Sequence, residues 1–267
     1  MQAMSDTSSS FNKNAHSLQS WWEDAQLALV FLTRIPWTIK GELPANALNR
    51  AVRAFPAVGL LVGALGACVF GLAQGVGLPA LACGLFAVLS CVLLTGALHE
   101  DGLADVADGF GGGRDKARKL EIMRDSRVGS YGVLAMVIAV GLRVSLLGGF
   151  EDWTLAAGAL VGVSAFSRIA PVLMLYTMEP ARTDGLAAKM ERPDQTIVWQ
   201  GVALAVGVLW VCVPFSALLM TLIVSGAALY AFRKLAQSQI GGHTGDVCGA
   251  SQQIIEIVAL AALAAQL

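Results

Sequence analysis

Charge is what this 267-residue chain has least of. Asp, Glu, Lys and Arg together make up 14% of it, against about 25% in an ordinary soluble domain. Residues of the AVILMFWYC set make up 56%. Such a composition argues against a disordered chain and against a water-soluble enzyme. Neither sign of charge dominates, with 18 Lys and Arg against 19 Asp and Glu, so no nucleic-acid partner is expected. Histidine is scarce, with only His16, His99 and His243. The cysteines Cys68, Cys83, Cys91, Cys212 and Cys248 are odd in number and have no CxxC spacing. These shortages argue against a disulfide scaffold and a Cys/His zinc site, and predict buried, reduced thiols. The N-terminus is polar and lacks the basic-then-apolar order of a signal peptide. Residues 1–20 are expected to be flexible, ahead of a single integral-membrane catalytic domain over 21–267.

Long apolar runs are abundant. A bilayer core needs roughly 20 apolar residues per helix, and seven stretches qualify: 56–76, 79–98, 132–150, 154–176, 197–213, 215–232 and 250–266. The last is the weakest, because Glu256 interrupts it. The run 25–35 is too short to span, ends at Pro36 and follows Trp21 and Trp22, which predicts a helix lying in the interface. Glycine, at 29 residues, suits close helix packing in lipid. The expected fold is therefore all-α, a polytopic bundle of about seven transmembrane helices with an N-terminal interfacial helix. Lys and Arg alternate along it. The segment before the first span and the loops 99–131, 177–196 and 233–249 carry them, whereas the connections at 77–78, 151–153 and 214 carry none. The positive-inside rule places the long basic loops in the cytoplasm, making that the working face of an inner-membrane protein. Two arginines fall inside spans. Arg143 is expected to snorkel outward, with Glu151 or Asp152 as its partner, and Arg168 lies toward the inner half of its span.

The charges concentrate in residues 98–132. Asp101, Asp105 and Asp108 are four and three residues apart, within about 60° of one helix face. They directly continue the second span. Three stacked carboxylates repel one another unless a cation sits among them, and magnesium takes a few carboxylates together with water and phosphate oxygens. Gly109 and Gly111, Gly112 and Gly113 follow, ending the helix and freeing backbone N–H groups for an anion. Arg114, Lys116, Arg118 and Lys119 add positive charge, and Arg124, Asp125, Ser126 and Arg127 form a second polar knot. Acid for metal, glycine for close approach and arginine for phosphate describe a metal–pyrophosphate site. His99 reads more simply as an interface residue than as a ligand. A second cluster on the same face comprises Gly241, Gly242, His243, Thr244, Gly245 and Asp246, then Gly249, with Glu256 inside the last span. Asp246 there is a further ligand candidate, or else only a helix cap.

The strings LALVFLTRIP at 27–36, HEDGLADVADG at 99–109, EIMRDSRVGSYG at 121–132 and GGHTGDVCGA at 241–250 resemble the cobalamin synthase family through nearly the whole chain. Gln252 and Gln253 stand where such sequences often carry a glutamate, which leaves any acid role there to Glu256. The resemblance implies a magnesium-requiring transferase that acts late in coenzyme B12 assembly. Its donor is adenosylcobinamide-GDP and its acceptor α-ribazole or the 5′-phosphate, and GMP leaves. Carried onto this chain, Asp101, Asp105, Asp108 and Asp246 hold Mg2+, with Asp105 and Asp108 close to the chemistry. Arg124 and Arg127 neutralise phosphate. Gly111, Gly112, Arg114, Asp125, Ser126, Gly242 and Thr244 contact substrate.

Three rivals share parts of this pattern. A CDP-alcohol phosphotransferase needs an arginine where this chain has Asp105 after Ala104. Intramembrane prenyltransferases carry two matching acidic repeats, and Asp246 with Glu256 is a poor second copy. A cation transporter places its acids near the bilayer midplane, not beyond the helix ends. A homo-oligomer is compatible with the sequence.

Overall fold

Apolar runs closed off by glycine, proline or a capping side chain fold here as helices. A computed structural model describes residues 18–39, 41–44, 46–150 and 152–266. Helix α1 (18–32) is followed by α2 (Ala47–Ala51), a single 3-10 turn at Val52–Ala54, and α3 (Phe55–Gly75). Next come α4 (Ala80–Thr95), α5 (Leu98–Gly112), α6 (Lys116–Ile122) and α7 (Ser130–Gly148). The chain continues through α8 (Trp153–Ser167), α9 (Ile169–Thr177), α10 (Leu186–Lys189), α11 (Gln195–Cys212), α12 (Phe215–Ile240) and α13 (Gly245–Ala264). Several helix starts are set by side-chain caps. Asp152 accepts from Thr154 N, Asp194 from Thr196 N and Thr244 from Val247 N, each satisfying a backbone donor that the first turn leaves free.

Six helical stretches are long and apolar enough to cross a membrane, and a seventh counts if the bent pair α4–α5 is one span. Large apolar side chains such as Leu134, Val137, Ile138, Trp210, Val211 and Ile223 remain exposed, as expected of a multi-pass protein whose outer surface meets lipid. The bundle is held by close helix contacts. A Cβ added at Gly59 would lie 2.2 Å from Ser164 O, and one at Gly63 would lie 2.3 Å from Leu160 O. This four-residue glycine spacing lets α3 and α8 touch backbone to backbone.

Several sequence expectations change. The polar N-terminal stretch lies outside the described residues up to position 17, and 18–20 already belong to α1. That helix starts before Trp21 and is tied to the bundle by charge. Asp24, buried, receives Arg53 Nε at 2.8 Å and Arg50 Nη2 at 3.0 Å, while the Arg53 guanidinium lies 4.2 Å from the Trp21 ring. The last helix is no weak span. It runs from Gly245, its residues 247–253 are all buried, and Glu256 is ion-paired with Arg143 within the bundle. Helix α12 continues to Ile240, so Arg233 and Lys234 are helical instead of opening a loop. The thiols are all free, with Cys83, Cys91 and Cys248 buried but Cys68 exposed.

The largest departure concerns α5, which does not continue the second span. It turns 91° away from α4. Gly96 at φ 67° and Ala97 at φ 60° are consecutive left-handed residues, and together they break the right-handed helix and turn the chain. Gly96 is doubly required, because the Arg34 side chain passes where its Cβ would be. Arg34 N also donates to Leu94 O at 2.8 Å, so α1 is stapled to the bend. The acid-bearing helix therefore runs across one end of the bundle.

Arg143 does not snorkel. It is 2% exposed and donates from Nη2 to Glu100 Oε1 at 2.8 Å and from Nη1 to Glu256 Oε1 at 3.3 Å. Asp152 instead caps α8, and Glu151 lies outside the described residues. The physical reason is that a paired, hydrogen-bonded arginine costs less inside the bundle than a solitary one in lipid.

Candidate active site

The polar end of the bundle is assembled from α5, the N-terminus of α13 and the connections 113–129 and 178–194. Helices α5 and α13 cross where glycine faces glycine. A Cβ on Gly102 would lie 2.8 Å from Asp246 O and 3.3 Å from the Gly249 Cα. That crossing puts the two acidic clusters of the sequence beside each other. A short backbone clasp joins the second to the 178–194 connection. His243 N donates to Glu179 O at 2.9 Å, and Ala181 N donates to His243 O at 2.8 Å. Gly242 is buried under this clasp, with Glu179 O 2.2 Å from where its Cβ would lie, so its smallness serves packing.

A cavity of about 310 Å³ opens at this junction, lined by Asp101, Arg182, Asp184, His243, Thr244 and Asp246 on its polar side. Arg182 Nη2 is 3.5 Å from Asp246 Oδ2, and Thr244 Oγ1 donates to Asp246 Oδ2 at 3.2 Å. The N-cap of α13 is Thr244, not Asp246, which leaves the Asp246 carboxylate facing the cavity. Arg182 and Asp184 are the residues the sequence did not single out. Their signal was only a basic loop, and nothing in the spacing tied that loop to Asp246.

The three aspartates of α5 have unequal surroundings. Among the described residues, the side chains of Asp101 and Asp105 make no hydrogen bond or ion pair. Burial first, then the charges of Asp246, Asp101 and Asp108, push the half-buried Asp105 carboxyl up to about 7. Asp108 is buried and already engaged. It accepts from Gly129 N at 2.7 Å and Gly132 N at 2.8 Å, so it holds the start of α7 against α5. It lines a separate hollow of about 300 Å³ with Gly112, Arg118, Asp125, Arg127 and Tyr131. The single acidic stripe thus serves two hollows, one at each end of α5.

The second polar knot divides as well. Arg127 pairs with Asp125, Nη2 to Oδ2 at 2.7 Å, and this contact holds the Asp125 carboxyl down at about 2. Arg124 reaches the other way, to Asp184 at the rim of the first cavity. Ser126 and Arg114 are exposed, and neither side chain has a partner among the described residues. A Cβ on Gly111 would meet the Tyr131 ring at 2.9 Å, so Gly111 too is a packing position. Among the described residues no three His, Cys, Asp or Glu side chains converge as a ready-made metal cage. The donor set still suits magnesium, which takes one or two carboxylates and completes its shell with water and phosphate oxygens. Asp101 and Asp105 are unpaired oxygen donors whose mutual repulsion a cation relieves.

Comparisons with known proteins point to one family. A family model described as cobalamin-5-phosphate synthase matches residues 24–264. A protein of Azorhizobium caulinodans named adenosylcobinamide-GDP ribazoletransferase is 45% identical over 89% of this chain and 93% of its own length. One of the same name from Sinorhizobium medicae is 39% identical over 92% of this chain and 98% of its own. A third, from Bradyrhizobium diazoefficiens, is 42% identical over 91% and 93%. No solved structure matches.

Proposed function

The chain belongs to the cobalamin-5-phosphate synthase family, and from that premise we propose that it is a magnesium-dependent membrane transferase joining α-ribazole, or its 5′-phosphate, to adenosylcobinamide-GDP. The observation that carries this reading is Asp101 and Asp246, with Arg182, lining one cavity beside an Asp105 whose carboxyl sits at about 7.

The acceptor's ribose hydroxyl attacks the phosphorus borne by the corrinoid side chain. A P–O bond forms there, the bond to GMP breaks, and GMP leaves. Phosphoryl transfer is mostly positioning and charge stabilisation, and these residues serve both. Asp101, Asp105 and Asp246 would hold magnesium, which supplies charge neutralisation at the pyrophosphate. One of these carboxylates would also take the proton from the attacking hydroxyl. Arg182 faces phosphate oxygens from the cavity wall, and Arg124 holds Asp184 at the rim. Arg127, Asp125, Ser126 and Arg114 offer charge at the second hollow, where a substrate phosphate or the corrinoid's polar rim can rest. The basic loops support a cytoplasmic position for this end of the bundle, at the inner membrane.

The test is GMP release by the purified protein in detergent or liposomes, with adenosylcobinamide-GDP and each acceptor. Wild type is expected to release GMP only with magnesium, and Asp105→Asn to release almost none. Full activity in Asp105→Asn with unchanged magnesium dependence would sink the metal assignment.

A further inference from the structure

The cavity beside Asp101 and Asp246 has a second character that the chemistry above leaves unused. Much of its buried lining is carbon: Leu32 at 2% exposure, Phe55 at 3% and Leu175 at 7%, with Pro171 also buried. Phe31 packs against Phe55 with ring centroids 5.8 Å apart and an interplanar angle of 20°, giving the lining a flat aromatic wall. The carboxylates stand elsewhere on the lining and are less buried: Asp101 and Asp184 are exposed and Asp246 is partly buried. The site is therefore amphipathic, with an apolar floor and an acidic mouth.

Size and chemistry narrow the occupant. About 310 Å³ is at the low end for ligand sites, enough for one nucleoside and too little for a corrinoid with its GDP. Two nucleosides take part in the reaction proposed above, guanosine and ribazole. Guanine needs acceptors for its N1–H and N2–H groups. The buried polar lining offers His99, His243 and Thr244 and no Asp, Glu, Asn or Gln side chain. The rim acid Asp184 is taken by Arg124. A guanine base seated on the apolar floor, away from the Asp101 and Asp246 carboxylates, would leave its donors unmet, which disfavours it there. An apolar fused-ring base leaves nothing unmet. Its sugar hydroxyls, however, need partners, and His243, 3% exposed, has an Nδ1 without a hydrogen bond. Arg182 Nη1 is likewise unpartnered.

We propose that this cavity is the acceptor subsite, binding a nucleoside with an apolar fused-ring base seated against Phe31, Phe55 and Leu175 and its ribose at the Asp101–His243–Asp246 mouth. The assignment rests on the transferase reading above. The attacking hydroxyl is thereby delivered beside the carboxylates, and the bulky donor is left to approach from the open polar end.

Cavity-filling substitutions on the short helix α10 test it, since α10 lines the cavity with Ala187 and Ala188. Full-length Ala187→Phe and Ala188→Phe, in detergent, are expected to raise KM for α-ribazole about tenfold or more, leaving KM for the corrinoid–GDP donor within about twofold. A rise in donor KM instead, or no change in either, overturns the subsite. Equilibrium dialysis of labelled α-ribazole against the wild-type protein gives an independent arm. Excess guanosine is expected to leave the label bound, and displacement by guanosine, or no binding at all, overturns the proposal. Binding of α-ribazole by a protein that transfers nothing would keep the subsite and remove the transferase reading.

Discussion

Glu100 and Arg143 meet at 2.8 Å inside the bundle, both under a tenth exposed, and the residue after Glu100 in the chain is Asp101 of the cavity. The pair belongs to a larger buried set in which Arg143 and Arg168 balance Glu100 and Glu256. Gln253 Nε2 donates to Glu100 Oε1 at 3.2 Å, and Gln252 Nε2 donates to Ser167 Oγ at 2.9 Å and to Glu256. The two glutamines thus supply neutral donors, and a glutamate at either place would add a third acid against two arginines. This network joins α5, α7, α8 and α13, the helices that frame the site. Removing one partner leaves an uncompensated buried charge, which costs about 3–5 kcal/mol. Arg143→Met is expected to lower the melting temperature in detergent sharply, and Arg143→Met with Glu100→Gln to recover part of the loss. A single variant as stable as wild type would contradict the pairing.

The raised proton affinity of Asp105 makes a signed prediction about pH. Its carboxyl titrates at about 7 in the folded protein against 3.8 ordinarily, so between those values the folded state binds more protons than the unfolded one. Stability attributable to this group therefore falls as pH rises from about 4 to about 7 and is lowest above it. Asp105→Asn removes the penalty. It is expected to melt higher than wild type at pH 8, with the difference vanishing near pH 4. Activity moves the other way, an exchange of stability for function common at charged sites. Thermal scans of both proteins across that range, without magnesium, check it. Added magnesium should raise the wild-type melting temperature at pH 8 and leave Asp105→Asn nearly unmoved.

Why some of this was legible in the sequence and some was not follows from the range of the forces involved. The seven apolar runs were readable because a bilayer sets a minimum length and leaves backbone groups no other partner. The acidic spacing on α5 was readable because helix periodicity is local. The 91° turn before it was not, because a left-handed alanine at 97 carries no mark in composition. Arg143 was assigned nearby acids, but its partners sit 43 and 113 residues away. Arg182 was counted only as loop charge, since its place opposite Asp246 depends on the clasp between two connections.

The glycine crossing of α5 and α13 predicts that Gly102 is more sensitive than its place on a surface helix suggests. A methyl group there meets Asp246 O at 2.8 Å, a backbone atom that cannot swing away. The helices must separate, and overpacking of this kind costs about 1–3 kcal/mol. Gly102→Ala is expected to retain the fold, with a melting temperature a few degrees lower, yet to lose activity by about two orders of magnitude, because displacing catalytic groups by about 1 Å costs that much. The check is kcat at saturating magnesium and substrates. Gly245→Ala, where the added Cβ meets nothing within 4 Å, is the control and is expected to fold normally.

Asp108 lies on the same helical stripe as Asp105 and is predicted to behave unlike it. Its two oxygens accept from Gly129 N and Gly132 N, so they fasten the first turn of α7 to α5. Truncation leaves two backbone donors in a poorly solvated place, at about 1–3 kcal/mol each. Asp108→Ala is therefore expected to be clearly destabilised at every pH from 5 to 8, in contrast to the stabilisation of Asp105→Asn at pH 8. Asp108→Asn keeps one acceptor oxygen and is expected to fall between Asp108→Ala and wild type in stability. Magnesium titrations of GMP release separate the two roles. Asp108→Asn should keep a half-maximal magnesium concentration within about threefold of wild type, whereas loss of a ligand at Asp101, Asp105 or Asp246 raises it by tenfold or more, on the order of one ligand's contribution. A large magnesium shift in Asp108→Asn with unchanged stability would return this residue to the metal.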